Sequence, residues 1–94
     1  MAAFGTVFVP EMVISRYEQS GWSQPKMVPV DSISLHPGAH VLHYSSTCFE
    51  GLKAFRHADN SIHLFRMDKN VARLAQSSEL LSLPKLDSAM LSQM

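Results

Sequence analysis

The sequence has few of the features that mark secreted, membrane-spanning or nucleic-acid-binding proteins. Its single cysteine, Cys48, excludes an internal disulfide and is typical of a reducing compartment. Eight basic residues balance eight acidic ones, so no net charge attracts nucleic acid or an anionic membrane. No apolar run approaches the roughly 20 residues that cross a bilayer, and the first residues match neither a signal peptide nor a transit peptide. We therefore expect a cytoplasmic protein that binds neither nucleic acid nor membrane.

The length and composition indicate one small globular domain. The chain has 94 residues, near the lower limit at which one apolar core still buries enough surface to fold unaided. Hydrophobic residues make up 46% of it and charged residues only 17%, which excludes a disordered chain.

Two antiparallel hairpins are predicted from the strand-forming residues. Residues 5–17 are rich in β-branched and aromatic side chains, and a turn at 19–21 leads into a return strand towards residue 30. A clearer hairpin follows, in which residues 51–56 pair with residues 61–65.

Three helices are predicted, one between the two hairpins and two after the second hairpin. Pro37 suits the first position of a short helix that ends near Ser46. The longest helix is expected over residues 67–81, and Asp87 is placed to cap a last helix that begins at Ala89. The apolar stripe of the longest helix consists of Met67, Val71, Leu74 and Leu81. This order of elements predicts an α+β fold, a two-layer small domain with an antiparallel sheet and helices packed on one face.

Two sequence blocks point to a family. Residues 43–56 read HYSSTCFEGLKAFR and residues 64–74 read LFRMDKNVARL. In this order and at this separation they resemble the HY-x(4)-FEG-x-K/R-A-Y/F and LFR-x-D-x-N-x-x-RL motifs of the branched-chain amino acid aminotransferase family. That family belongs to the class IV, fold-type IV aminotransferases, which depend on pyridoxal phosphate. The likeness extends more loosely from Gly5 to Pro84.

The resemblance implies an activity and an assembly. It implies that residues 1–94 form the N-terminal small domain of an enzyme of branched-chain amino acid biosynthesis. Such an enzyme transfers the amino group between leucine, isoleucine or valine and 2-oxoglutarate. It also implies a homodimer, and a large domain that we expect to be absent from this chain.

The resemblance assigns roles to four residues. Arg73 would grip the phosphate of pyridoxal phosphate, a task that suits a permanently charged, planar, multi-donor group. Tyr44 and Phe49 would line the pocket for the branched aliphatic side chain, with Tyr44 reaching into the partner subunit's site. Gly51 would allow the backbone to approach the substrate closely.

The same residues also have simpler interpretations. An arginine on a helix is most often a solvated charge, which is the alternative for Arg73. Tyr44 and Phe49 could be core or interface aromatics, and Gly51 could mark a β-bulge.

Glu50, between two of these residues, is expected to have a structural role. A carboxylate that folding buries needs partners. We expect Glu50 to accept hydrogen bonds from the backbone or to pair with Lys53 or Arg56.

Metal binding and thiol chemistry are both disfavoured. The spacing of His36, His40 and His43 would place three imidazoles on one helical face, as zinc can require. Pro37 makes His36 a residue before the helix, however, and no carboxylate or cysteine completes a ligand set. Cys48 has no orienting acid nearby and is interpreted as a small buried hydrophobe.

None of the lysines matches the family's catalytic lysine, which belongs to the large domain. The chain has four, Lys26, Lys53, Lys69 and Lys85. No catalytic residue is therefore assigned, and the chain alone is predicted to be inactive. Two alternatives stay open: a free-standing, non-catalytic dimerisation or binding module, and the same domain of a D-amino-acid transaminase or aminodeoxychorismate lyase relative.

Overall fold

The computed structural model describes residues 2–94, whose strands and helices confirm the α+β class. The strands of this part of the chain are β1 (Glu11–Ile14), β2 (Tyr17–Glu18), β3 (Gly21–Trp22), β4 (Lys26–Pro29), β5 (Ala54–Arg56) and β6 (Ile62–Leu64). Its helices are α1 (His40–Tyr44), α2 (Met67–Leu80) and α3 (Ser88–Gln93). The chain divides into two compact units, one ending at His36 and one spanning Pro37–Gln93.

The first unit contains two short antiparallel ladders. β1 pairs with β4, so that Glu11 faces Pro29, and β2 pairs with β3 around the predicted turn. The two ladders are separate because the Ser23 hydroxyl accepts the Arg16 N–H at 2.9 Å, which interrupts the pattern of backbone bonds. The expected strand over residues 5–17 begins only at Glu11, and Gly5, with a φ of +75°, belongs to a turn.

The second unit contains the predicted second hairpin, with shorter strands. β5 and β6 pair antiparallel, and Ala54 faces Leu64. Asn60 adopts the left-handed conformation with a φ of 68°, and its N–H donates to the His57 carbonyl at 2.9 Å. The strands of the described residues thus form three two-stranded sheets in place of the single sheet expected from the sequence.

The short helix α1 begins later than predicted. Ala39, the residue before it, is extended with a ψ of 132°, so Pro37 lies in the preceding turn and does not open the helix. The helix ends at Tyr44 because Ser45 is left-handed, with a φ of 53°. The prediction of a helix between these segments is correct, but its bounds are not.

The other two helices match the sequence prediction closely. α2 covers residues 67–80, and the left-handed Ser82, with a φ of 55°, stops it one residue before the expected end. Before α3, the Asp87 carboxylate accepts the Met90 N–H at 3.0 Å, as a capping side chain should. Within the described residues no helix is long and apolar enough to span a membrane.

The described residues include no fully buried hydrophobic side chain. Ser78 on α2, with 4% of its surface exposed, is the one buried residue among them. Met67, Val71 and Leu74 of the predicted stripe are half-buried, whereas Leu81 is exposed because it lies past the end of the helix. The apolar face of α2 is therefore only partly covered.

Candidate functional site

Glu50 joins the two motif blocks in space. Its side chain is only 10% exposed. One carboxylate oxygen, Oε2, accepts the Arg73 Nε–H at 2.6 Å, while Oε1 accepts a hydrogen bond from Nη2 of the same arginine. Oε1 also accepts from the Asn70 Nδ2 at 3.0 Å and from the Gly51 N–H at 3.2 Å. The glutamate of the first block thus meets the asparagine and the arginine of the second.

Helical spacing brings the two donors to the same place. Asn70 and Arg73 are three residues apart on α2, so they are neighbours on one face of the helix. The Asn70 Nδ2 also donates to the Gly51 carbonyl at 2.9 Å. The segment around Glu50 and Gly51, which has no regular secondary structure, is therefore tied to α2 through both a side chain and the backbone.

These contacts keep both members of the ion pair charged. The hydrogen bond from Arg73, with a smaller contribution from Asn70, lowers the pKa of Glu50 from 4.5 to about 2. The same bond raises the pKa of Arg73 above its ordinary value. We name Glu50, Asn70 and Arg73 the polar cluster.

The charged partner of Glu50 differs from the one expected. The predicted backbone bond is present, from Gly51, but the cation is Arg73 and neither Lys53 nor Arg56. In an extended segment, side chains three residues apart point to opposite faces, which separates Glu50 from Lys53. Arg56, six residues away, lies roughly 20 Å further along an extended chain.

Arg73 keeps part of its guanidinium available. Glu50 uses the side edge formed by Nε and Nη2, and the end edge formed by Nη1 and Nη2 has no second partner among the described residues. The side chain is 68% exposed. It borders an open depression lined by Phe65, Arg66, Lys69, Asn70 and Arg73. A guanidinium edge beside two further cations fits the donor set that a phosphate group requires.

Three residues of this surface are not predicted from the sequence: Arg66, Lys69 and Asn70. All three lie in the second motif block, so the block itself was the available signal. Their convergence depends on the start of α2 at Met67, which places Lys69 and Asn70 one turn before Arg73. Arg66 is held by Asp68, whose carboxylate lies 3.3 Å from the Arg66 Nε.

The two predicted substrate-side aromatics are exposed. Tyr44 is the last residue of α1 and is 73% exposed, and its ring stands edge-on to that of His40 at 5.2 Å. Phe49 is 91% exposed in the segment before Glu50. Among the described residues, no hydrogen bond joins either aromatic side chain to the polar cluster. Both rings are largely in solvent.

Gly51 lies in the segment before β5 and outside any ladder, which argues against a β-bulge. It does not adopt a positive φ, and a Cβ added to it would meet nothing within 4 Å. The fold of this chain alone therefore does not require glycine at that position. Its predicted role, close approach of the backbone to a ligand, stays a prediction.

The remaining candidates are the histidines around α1 and Cys48. His43 donates its Nε2–H to the Pro37 carbonyl at 2.6 Å, and His36 lies before α1, as predicted. Across the described residues, no three side chains of metal-ligand type converge. Cys48 is half-buried and not fully buried as expected, and its Sγ lies 3.4 Å from the Ser78 hydroxyl, a polar group.

Comparison with known proteins agrees with the motif blocks. No protein-family model matches the chain. The cytosolic branched-chain-amino-acid aminotransferase of Ovis aries is 45% identical over 85 residues, which are 89% of this chain and 22% of that protein. Branched-chain-amino-acid aminotransferase 2 of Bacillus subtilis (strain 168) is 42% identical over 86 residues, 90% of this chain and 24% of that protein.

A third relative extends the range of organisms. The branched-chain-amino-acid aminotransferase of Mycobacterium tuberculosis (strain CDC 1551 / Oshkosh) is 46% identical over 87 residues, 92% of this chain and 24% of that protein. The chain thus spans less than a quarter of the length of these curated relatives. Over about nine tenths of its own length, it is similar to branched-chain-amino-acid aminotransferases, and the resemblance seen in its two motif blocks is confirmed.

Proposed function

We propose that this chain is the part of a pyridoxal-phosphate-dependent branched-chain amino acid aminotransferase that contacts the cofactor phosphate and the substrate side chain. The observation that carries the proposal is the polar cluster, in which residues of both motif blocks fix Arg73 and leave one guanidinium edge available. The reaction would be amino transfer between leucine, isoleucine or valine and 2-oxoglutarate. The names of the relatives support this substrate class over D-amino acids or aminodeoxychorismate.

Arg73 is proposed to bind the cofactor phosphate. When bound, pyridoxal phosphate supplies the electron sink on which amino transfer depends. The chain's own task would be anion binding: Arg73 would donate two hydrogen bonds from its end edge, and Lys69 and Arg66 would add positive potential around the depression.

Tyr44, Phe49 and Gly51 are proposed to face the substrate. A branched aliphatic side chain offers only apolar surface, worth about 25 cal/mol per Å² when it is removed from water. The exposed rings of Tyr44 and Phe49 could cover such a group if further protein surface closes over them. We propose that this surface comes from a large domain and from a homodimer partner, whose site Tyr44 would enter.

The proposed assignment leaves catalysis to the large domain. Residues 1–94 would be the N-terminal small domain, in the cytoplasm, and none of its lysines matches the one that holds the cofactor in the family. A free-standing binding or dimerisation module is the second candidate, and the many exposed large apolar side chains favour it.

Replacing a segment of a relative tests the proposal. Residues 5–84 of this chain would replace the matching segment of the Bacillus subtilis enzyme, and turnover of leucine with 2-oxoglutarate would be measured in a coupled assay. We expect the chimaera to be active and the 94-residue chain alone to show no turnover. A folded, dimeric chimaera without activity, beside an active parent enzyme, would contradict the proposed function. Activity of the purified chain alone would contradict the assignment of catalysis to another domain.

A further inference from the structure

The Glu50 carboxylate has more hydrogen-bond donors around it than the proposed function explains. Its two oxygens accept from Gly51, Asn70 and both side-edge nitrogens of Arg73. The side chain is nearly covered, at 10% exposed, although the arginine it holds is largely in solvent. A carboxylate so placed next to a proposed anion site is unexpected, because its charge repels the anion.

We infer that Glu50 is a positioning residue, which holds the side edge of the Arg73 guanidinium so that the end edge is presented to a phosphate group. This inference rests on the proposed function. Asn70 is part of the same device, since its amide bonds both the Glu50 carboxylate and the Gly51 carbonyl and so fixes the carboxylate itself.

The physical reason lies in the flexibility of arginine. A free, exposed arginine side chain occupies many rotamers, and binding an anion in one geometry costs the freedom to occupy the others. Glu50 removes part of that freedom before the ligand arrives. Because a guanidinium is planar with two separate donor edges, a carboxylate on one edge fixes the direction of the other.

Charge and positioning predict opposite effects of removing the carboxylate. If Glu50 acted only through its charge, Glu50→Gln would strengthen phosphate binding, because a nearby negative charge disappears. If Glu50 positions Arg73, the same change weakens binding, because one acceptor oxygen becomes an NH₂ group that cannot accept.

The test is a titration of the 94-residue chain with inorganic phosphate, followed by heteronuclear NMR of the Arg73 Nε–H. We expect Glu50→Gln to weaken phosphate binding roughly 3- to 10-fold, the effect of freeing one long side chain. Before phosphate is added, the variant should also show a more mobile Nε–H signal than the parent. Glu79→Gln, which removes an exposed carboxylate from the same helix, serves as the matched control and should leave both readings unchanged.

A second variant keeps the test decisive if Glu50→Gln loses its helical circular dichroism. Asn70→Ala leaves both charges in place and removes the amide that fixes the Glu50 carboxylate, and it should also weaken phosphate binding. If the variant that folds binds phosphate as tightly as the parent or more tightly, while Arg73→Ala still weakens binding, the positioning role is wrong. The phosphate assignment of Arg73 is then unaffected. Phosphate binding that is absent in the parent or insensitive to Arg73→Ala overturns the phosphate assignment in the proposed function, and the positioning role falls with it.

Discussion

The polar and the aromatic parts of the candidate site differ in how completely the residues of this chain surround them. Glu50, Asn70 and Arg73 are joined by side-chain hydrogen bonds of 2.6–3.0 Å, and the carboxylate is nearly covered. Tyr44 and Phe49, predicted for the same site, expose most of their surface. One part is assembled by two neighbouring segments of the chain, and the other is not.

The difference follows from the physics of the two kinds of contact. A hydrogen-bonded ion pair needs only a few atoms at the right distance, which one helix face and one adjoining segment can supply. An apolar pocket needs surface on several sides, because its stabilisation grows with the area removed from water. A chain without a fully buried hydrophobic side chain among its described residues cannot supply that area. The described residues therefore leave the aromatic part open.

The largest predicted effect concerns the polar part. In the chimaeric enzyme, Arg73→Ala should weaken cofactor binding roughly 10- to 100-fold, since charge-assisted hydrogen bonds are worth about 1.5–3 kcal/mol each. Added pyridoxal phosphate should restore much of the rate, because an anchoring group takes no part in the chemistry. Titration of the apoenzyme with cofactor, followed by cofactor absorbance, measures the affinity.

Two further variants sharpen that titration. Arg73→Lys should recover only part of the affinity, because an ammonium lacks the planar two-donor edge. Lys26→Ala, which removes an exposed cation from β4, is the charge-matched control and should bind as the parent does. If Arg73→Ala binds the cofactor as tightly as the parent, Arg73 is a surface charge and not a phosphate ligand.

The polar part should also depend on pH. Because the folded pKa of Glu50, about 2, lies below its ordinary 4.5, its stabilising contribution is complete above about pH 5. That contribution is lost as the pH falls towards the folded value. The urea midpoint of the parent should therefore decline between about pH 5 and pH 3 more steeply than that of Glu50→Gln. If the urea midpoints of the parent and the variant decline in parallel, the Glu50 carboxylate does not keep its hydrogen bonds to Arg73 and Asn70 in solution.

The aromatic part predicts self-association. Small monomers seldom expose more than a few hundred Å² of contiguous apolar surface, and this chain exposes Phe4, Phe8, Phe49, Phe55 and Phe65 among other large apolar side chains. We expect a homodimer or a higher oligomer by light scattering at about 100 µM, dissociating on dilution. A monomer at every concentration would contradict this expectation.

The smallest predicted effect is that of Phe49 on stability. Since the ring is 91% exposed, Phe49→Ser should change the free energy of unfolding by no more than about 0.5 kcal/mol. Chemical denaturation of the chain measures it, at a protein concentration where association is constant. A loss of about 2 kcal/mol or more would mean that the chain buries this side chain by itself.

The sequence predicts local elements better than contacts between residues that are distant in the chain. The longest helix, its capped successor and the second hairpin were each predicted from signals within a few residues, such as Asp87 before α3. The first hairpin forms two ladders and not one, because the Arg16 N–H donates to the Ser23 hydroxyl and not to a backbone carbonyl, which no periodicity reveals. The start of α1 was misplaced because Pro37 suits a turn as well as a first helical position.

The candidate site shows the same limit. Arg73 was selected from its motif, but its partner Glu50 was expected to pair with Lys53 or Arg56, which are close in sequence. The real partner is 23 residues away and depends on how α2 approaches the segment before β5. Motif spacing identifies residues, whereas pairing between blocks follows from tertiary structure.

The most direct measurement of the central claim compares two ligands that differ only in a phosphate group. Pyridoxine phosphate and pyridoxine carry no aldehyde, so neither can react with the exposed lysines. We predict that pyridoxine phosphate shifts the Arg73 Nε–H signal in a saturable manner, that pyridoxine does not, and that Glu50→Gln weakens the response. Equal responses to the two ligands would contradict the claim that this cluster anchors the cofactor phosphate. So would an Arg73→Ala variant whose remaining signals still shift when pyridoxine phosphate is added.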